Sequence, residues 1–130
     1  MTRIEEDKDR ERRIDTEILV DIYEEEPLYL GWYYYLENKM KFPFRARCIA
    51  RKGAAPLSFG DEFVVSGMAL EEECEEEMFV NAEWQGEPIT VLLTHLEGAG
   101  VDEETREAIE DWHYWVGRGY EFPSQGEEEW

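Results

Sequence analysis

Apolar and polar residues change period along this chain and are punctuated by glycines and prolines, and its elements are read from those changes. Ile14, Ile18, Leu19 and Ile22 fall at helical spacing and predict a short amphipathic helix capped by Asp15 or Thr16, with Asp21 as a solvated edge residue. Ahead of it, residues 2–13 interleave Glu, Asp, Lys and Arg around one apolar side chain, Ile4, and read as a solvated tail. Glu24-Glu25-Glu26 followed by Pro27 is an acidic, proline-bearing start for a second helix over Leu28 to Lys39. Its run Trp32-Tyr33-Tyr34-Tyr35-Leu36 is bulky on nearly every face, which assigns it to packing and leaves tyrosine hydroxyls in need of partners. Phe42-Pro43-Phe44 then turns the chain.

Beyond this point the period shortens to two. Arg45 to Arg51 alternates as a first strand with its arginines outward. Ser58 to Gly98 holds two β-like runs, Phe59 to Met68 and Met78 to Trp84, separated by Glu71-Glu72-Glu73-Cys74-Glu75-Glu76-Glu77. Glu83 to Pro88 is a tight hairpin turn, and Ile89 to Leu93 a strand that ends in Thr94 to Gly98. Asp102 caps a last helix with Glu103 and Glu104 in its first turn and Gly117 or Gly119 at its stop; Ala108, Ile109, Trp112, Trp115 and Val116 form the stripe that packs on the strands. Three or four short antiparallel strands lose their edges most economically in a closed or half-closed barrel. The predicted fold is α+β: a small antiparallel SH3-like β-barrel flanked by N-terminal helices and a C-terminal helix. It forms one domain over residues 1–130, with 1–13 and 123–130 as mobile termini.

Charge sharpens this picture. The 130 residues carry a formal net charge of −20, yet 42% are apolar and 14% aromatic, too many for a disordered acidic chain. Residues 1–52 hold 12 acidic and 11 basic side chains, whereas residues 53–130 hold 21 acidic and 2 basic. Such a surface repels nucleic acid and anionic lipid, so neither nucleic acid nor membrane is expected as a partner. Lys39, Lys41, Arg45, Arg47, Arg51 and Lys52 read as counter-charges for acidic neighbours. No apolar run approaches the roughly 20 residues of a membrane helix, and the first residues lack a signal-peptide core; a soluble cytoplasmic protein is expected. Cys48 and Cys74 are too few for a disulfide framework; both are expected reduced, and Cys48 buried.

Catalysis finds little support, so no enzyme is expected. His95 and His113 lie in different elements, no nucleophile elbow, phosphate loop or H-E-x-x-H is present, and the glutamates around Cys74 should suppress its thiolate. Metal binding remains. Six carboxylates hung between two strands repel one another and invite a cation, and hard oxygens without a His or Cys cluster suit Ca²⁺. An EF-hand is excluded, because a loop begun at Asp7 puts Arg12 at its glycine position and Ile18 at its bidentate glutamate position. Any site must be built from loops. The candidate ligands are Asp61, Glu62, Glu71, Glu72, Glu73, Glu75, Glu76 and Glu77, with Glu97 or Asp111 nearby. The residues alone fit a solubilising loop equally well. The alternative function is an interaction module whose acidic face docks a basic protein.

Several segments together settle the balance: Gly31-Trp32-Tyr33-Tyr34-Tyr35-Leu36-Glu37, Phe42-Pro43-Phe44, Gly60-Asp61, Glu71-Glu72-Glu73-Cys74-Glu75 before Met78-Phe79-Val80, and Ile109-Glu110-Asp111-Trp112-His113-Tyr114-Trp115-Val116. In this combination the chain, from about Ile14 to Phe122, resembles the CcbP family of cyanobacterial calcium-binding proteins. The resemblance implies Ca²⁺ binding through acidic surface groups without an EF-hand, and a calcium-buffering role of the kind the family has in heterocyst differentiation.

Overall fold

The computed structural model describes residues 6–18 and 28–120. Helix α1 (Lys8–Arg13) runs into a π turn (Ile14–Ile18); helix α2 spans Leu28–Lys39. Five strands follow, β1 (Phe44–Cys48), β2 (Glu62–Met68), β3 (Phe79–Trp84), β4 (Glu87–Leu92) and β5 (Leu96–Gly98), and helix α3 (Glu103–Gly117) closes the order. Short 3-10 turns at Glu71–Cys74 and Leu93–His95 interrupt the strand sequence. The expected Leu19, Asp21, Ile22, Glu24 to Pro27 and the last eight residues lie outside the described part.

All strands pair antiparallel, in the order β4-β3-β2-β1-β5. The β3–β4 hairpin turns on Gln85 and Gly86 at φ 54° and 82°, the left-handed pair whose twist matches flanking strands. Between Val65 and Gly67 the β2–β3 register shifts, a bulge that bends β2. β4 and β5 occupy opposite edges, yet only the turn Leu93–His95 separates them. Four residue steps reach at most about 14 Å, while the edges of a flat five-stranded sheet would lie about 19 Å apart. The sheet therefore coils strongly. No ladder joins β4 to β5 among the described residues, so the expected barrel closure is not formed and the sheet stays open.

The inner face carries Phe44, Ala46 and Cys48 of β1, Phe63 and Val65 of β2, Val80 and Ala82 of β3, and Val91 of β4, all buried. Outward, Arg45 pairs with Glu62 at 2.8 Å and Arg47 with Glu97 at 2.6 Å, the neutralising role expected of these arginines. Asp102 caps α3, its Oδ2 accepting from the N–H of Glu104 and Thr105. At the other end Gly119, at φ 98°, supplies the left-handed residue that stops the helix. Trp112 and Trp115 meet Trp32 of α2 at 5.0 and 5.4 Å, so the tryptophan stripe joins helix to helix, while α3 touches the strands at β5 and the turn before it. The segment read as a tail instead holds α1, capped by Asp7 rather than by Asp15 or Thr16.

Candidate metal site

The acidic loop follows from two buried anchors. Cys74 and Met78 have no exposed surface, which turns their glutamate neighbours outward. Cys74 Sγ accepts from the Phe79 N–H at 3.4 Å, and the Ala69 N–H donates to the Phe79 carbonyl at 3.1 Å, closing the loop at its base. Helix α2 clamps it from the side: Tyr33 OH donates to the Ala69 carbonyl, and Tyr34 OH to Glu71 Oε2, both at 2.6 Å. Glu71 and Glu75 are half-buried; Glu72, Glu73, Glu76 and Glu77 are exposed.

Three of these carboxylates bear electrostatically on a tyrosine of α2. Burial raises the pKa of the Tyr29 phenol, in the first turn of α2, and the negative charges of Glu75, Glu71 and Glu72 raise it further. That turn carries the positive end of the helix dipole, which favours anions beside it. Tyr33 is pushed up to about 12, first by burial and then by Glu37, Cys74 and Glu71. The Cys74 thiol is also raised, chiefly by burial and less by Glu73, so it stays protonated for a different reason than its glutamate neighbours alone.

The other sequence candidates fall elsewhere. Asp61 and Glu62 stand at the start of β2 and the glutamate loop beyond its end, with about 20 Å of strand between. One ion cannot take ligands from both. Asp61 accepts from the Ser58 N–H at 2.8 Å and serves a turn, while Glu62 faces Arg45 and Arg47. Glu97 is held by Arg47, and Asp111 is fully buried against Arg10 and Arg13. Lys41 pairs with Asp102 and Glu104, and Lys39 with Glu107. By contrast, Glu71, Glu72, Glu73, Glu75, Glu76 and Glu77 have no cationic partner among the described residues. The tyrosines that hold the loop escaped the sequence reading; its one signal was a run of hydroxyl-bearing aromatics on α2.

A model of the CcbP calcium-binding family, described as calcium binding, matches residues 12–116. The chain belongs to the CcbP family. Two solved structures are similar to it. The crystal structure of Anabaena CcbP is 38% identical, with a TM-score of 0.81, over 94% of this chain and 100% of that one. A calcium-binding protein in its calcium-binding form is 40% identical, with a TM-score of 0.73, over 92% of this chain and 98% of that one. No curated protein matches.

The family's ion fits the donors that this CcbP-family chain presents. They are hard carboxylate oxygens, with the neighbouring thiol and phenols protonated, a set that suits Ca²⁺ and disfavours thiophilic metals. Among the described residues, no group of three or more His, Cys, Asp or Glu side chains is drawn together enough to enclose an ion.

Proposed function

We propose that this chain is a non-EF-hand Ca²⁺-binding protein that acts as a cytoplasmic calcium buffer or sensor, with Glu71, Glu72 and Glu75 as its principal ligands and Glu73, Glu76 and Glu77 as the surrounding field. The observation that carries this reading is the contrast in pairing. Glu62 and Glu97 on the sheet and the acidic side chains of α3 are matched by Arg or Lys, whereas the loop gathers six carboxylates with no such match among the described residues; Glu83 and Glu87, also unmatched, stand on the β3–β4 hairpin. A bound Ca²⁺ would supply two positive charges and a demand for several oxygens. The chain's own contribution is to hold the loop's base rigid through Cys74 and Phe79 and to aim Glu71 through Tyr34, leaving the remaining glutamates free to turn inward. A site that must assemble itself on an exposed loop places the dissociation constant at about 10⁻⁶ to 10⁻⁴ M.

The test is calorimetric titration of chelator-stripped protein with Ca²⁺ at about 0.15 M monovalent salt, where diffuse surface attraction is screened. Saturable heat for one or a few ions is expected. A flat trace, with no bound Ca²⁺ by equilibrium dialysis, overturns the proposal. A second reading, a surface for a basic protein, draws on Leu70, which is 61% exposed beside the loop. Capture of a purified basic partner with equal affinity in chelator and in Ca²⁺ would favour it.

A further inference from the structure

Helix α1 meets the body of the domain through charge rather than apolar contact. None of Lys8–Arg13 is buried. Arg10 Nη1 and Arg13 Nη2 instead both donate to Oδ1 of Asp111, at 2.6 and 2.5 Å, and Tyr35 OH of α2 donates to Oδ2 at 2.7 Å. Asp111 has no exposed surface. Glu107 lies 3.4 Å from Arg13, and Glu110 3.9 Å from Arg10. At the near end of α1, the Asp7 N–H donates to Tyr114 OH, which in turn donates to Glu11. The chain then enters the π turn Ile14–Ile18, where Ile14 and Ile18 are buried and fix it to the core.

Two physical consequences follow. An element docked by ion pairs regains the hydration of its charges on leaving, so its opening is opposed far less than its short contacts suggest. A π turn breaks the regular helical ladder and is a natural pivot. We propose that α1 is a releasable strap, latched to α2 and α3 by the Asp111 carboxylate and pivoting at Ile14–Ile18, which opens as a unit while the sheet stays folded. Opening hydrates Asp111, Tyr35 and Tyr114 and leaves the three carboxylates Glu107, Glu110 and Asp111 on α3 without their two arginines.

Native-state hydrogen exchange on the full chain tests this. Amides of Glu11 to Arg13 should exchange at least 100-fold faster than those of β1 to β3, with a denaturant dependence that is present but smaller than that of the sheet. The double substitution Arg10→Gln/Arg13→Gln should accelerate them at least tenfold more and leave β1 to β3 unchanged, and Tyr35→Phe should give a smaller local acceleration. Exchange of α1 only together with the sheet, at the same denaturant dependence, overturns the proposal. So does an acceleration spread equally over sheet and strap. Should the double variant fail to fold, the wild-type denaturant dependence and Tyr35→Phe decide.

Discussion

Arg13 and Asp111 stand 98 residues apart in sequence, and their Nη2 and Oδ1 atoms 2.5 Å apart in space. The carboxylate is fully buried and also accepts from Arg10 and Tyr35, so removing the Arg13 guanidinium weakens the latch without stripping it of partners. Arg13→Gln should lower the free energy of opening α1 by about 1.5 kcal/mol, whereas Arg13→Gln/Asp111→Asn should recover much of that loss. Hydrogen exchange of the α1 amides in the four members of this cycle measures the coupling, and additive losses would contradict it.

A second prediction separates the two acidic groups on either side of β2. A divalent ion about 4 Å from one carboxylate gains roughly 2 kcal/mol even in water. Glu71→Gln/Glu72→Gln/Glu75→Gln should therefore weaken Ca²⁺ binding at least tenfold, while Asp61→Asn/Glu62→Gln should leave it within about twofold. Calorimetry on both variants decides; the opposite order would move the site to the start of β2.

Alkaline pH should weaken the fold through its tyrosines. Tyr33 is pushed up to about 12 by burial, with Glu37, Cys74 and Glu71 adding to the shift. Tyr35 is pushed up further, by burial and by its bond to Asp111. Raised acid pKa values mean that the folded state holds protons the unfolded state gives up, so this stability is complete below pH 10 and declines as pH rises toward 12 and beyond. Thermal midpoints between pH 9 and 12 should fall less steeply in Tyr33→Phe, and parallel curves would refute the assignment.

His113 sets the opposite limit. Its Nε2–H donates to the Leu93 carbonyl at 2.9 Å, and burial lowers its pKa below the ordinary imidazole value, against smaller raising effects from the Leu93 bond, Glu110 and Glu97. With the folded value depressed, its contribution is present above about pH 6.5 and is lost as pH falls through the lower value. His113→Gln keeps an N–H for Leu93 without the titration. Between pH 7 and 5 the urea midpoint of this variant should drop less than that of the wild type; an equal drop would mean that carboxylates alone set the acid limb.

Local rules in the sequence accounted for much of the fold. Helix α2 begins and ends where the acidic start and the later Phe-Pro-Phe placed it, and Asp102 caps α3 as its side chain predicts. The β3–β4 turn was legible because Gln85-Gly86 sits between two alternating runs. What escaped depends on partners far along the chain. The charges of α1 resemble those of any solvated tail until Asp111 is brought beside them. Likewise β5 is three residues long, and its pairing with β1 could not be told from a strand's ragged end. The acidic loop was visible as a composition, but its separation from Asp61 and the tyrosines that hold it depend on the length and bend of β2.

Trp32, with no exposed surface, has its ring 5.0 Å from Trp112 and 5.4 Å from Trp115, which themselves stack at 5.5 Å, and Tyr120 covers the outer face of Trp115 at 5.5 Å. Indole transition dipoles this close mix, so the cluster absorbs and emits as a coupled chromophore rather than as separate residues. Near-ultraviolet circular dichroism should carry its signature, and the share contributed by Trp32 is lost when α2 parts from α3. The glutamate loop contains no indole. Light absorbed by the cluster therefore reports the helix pair alone, and gives the molecule a built-in optical gauge of whether an event at the loop reaches its core.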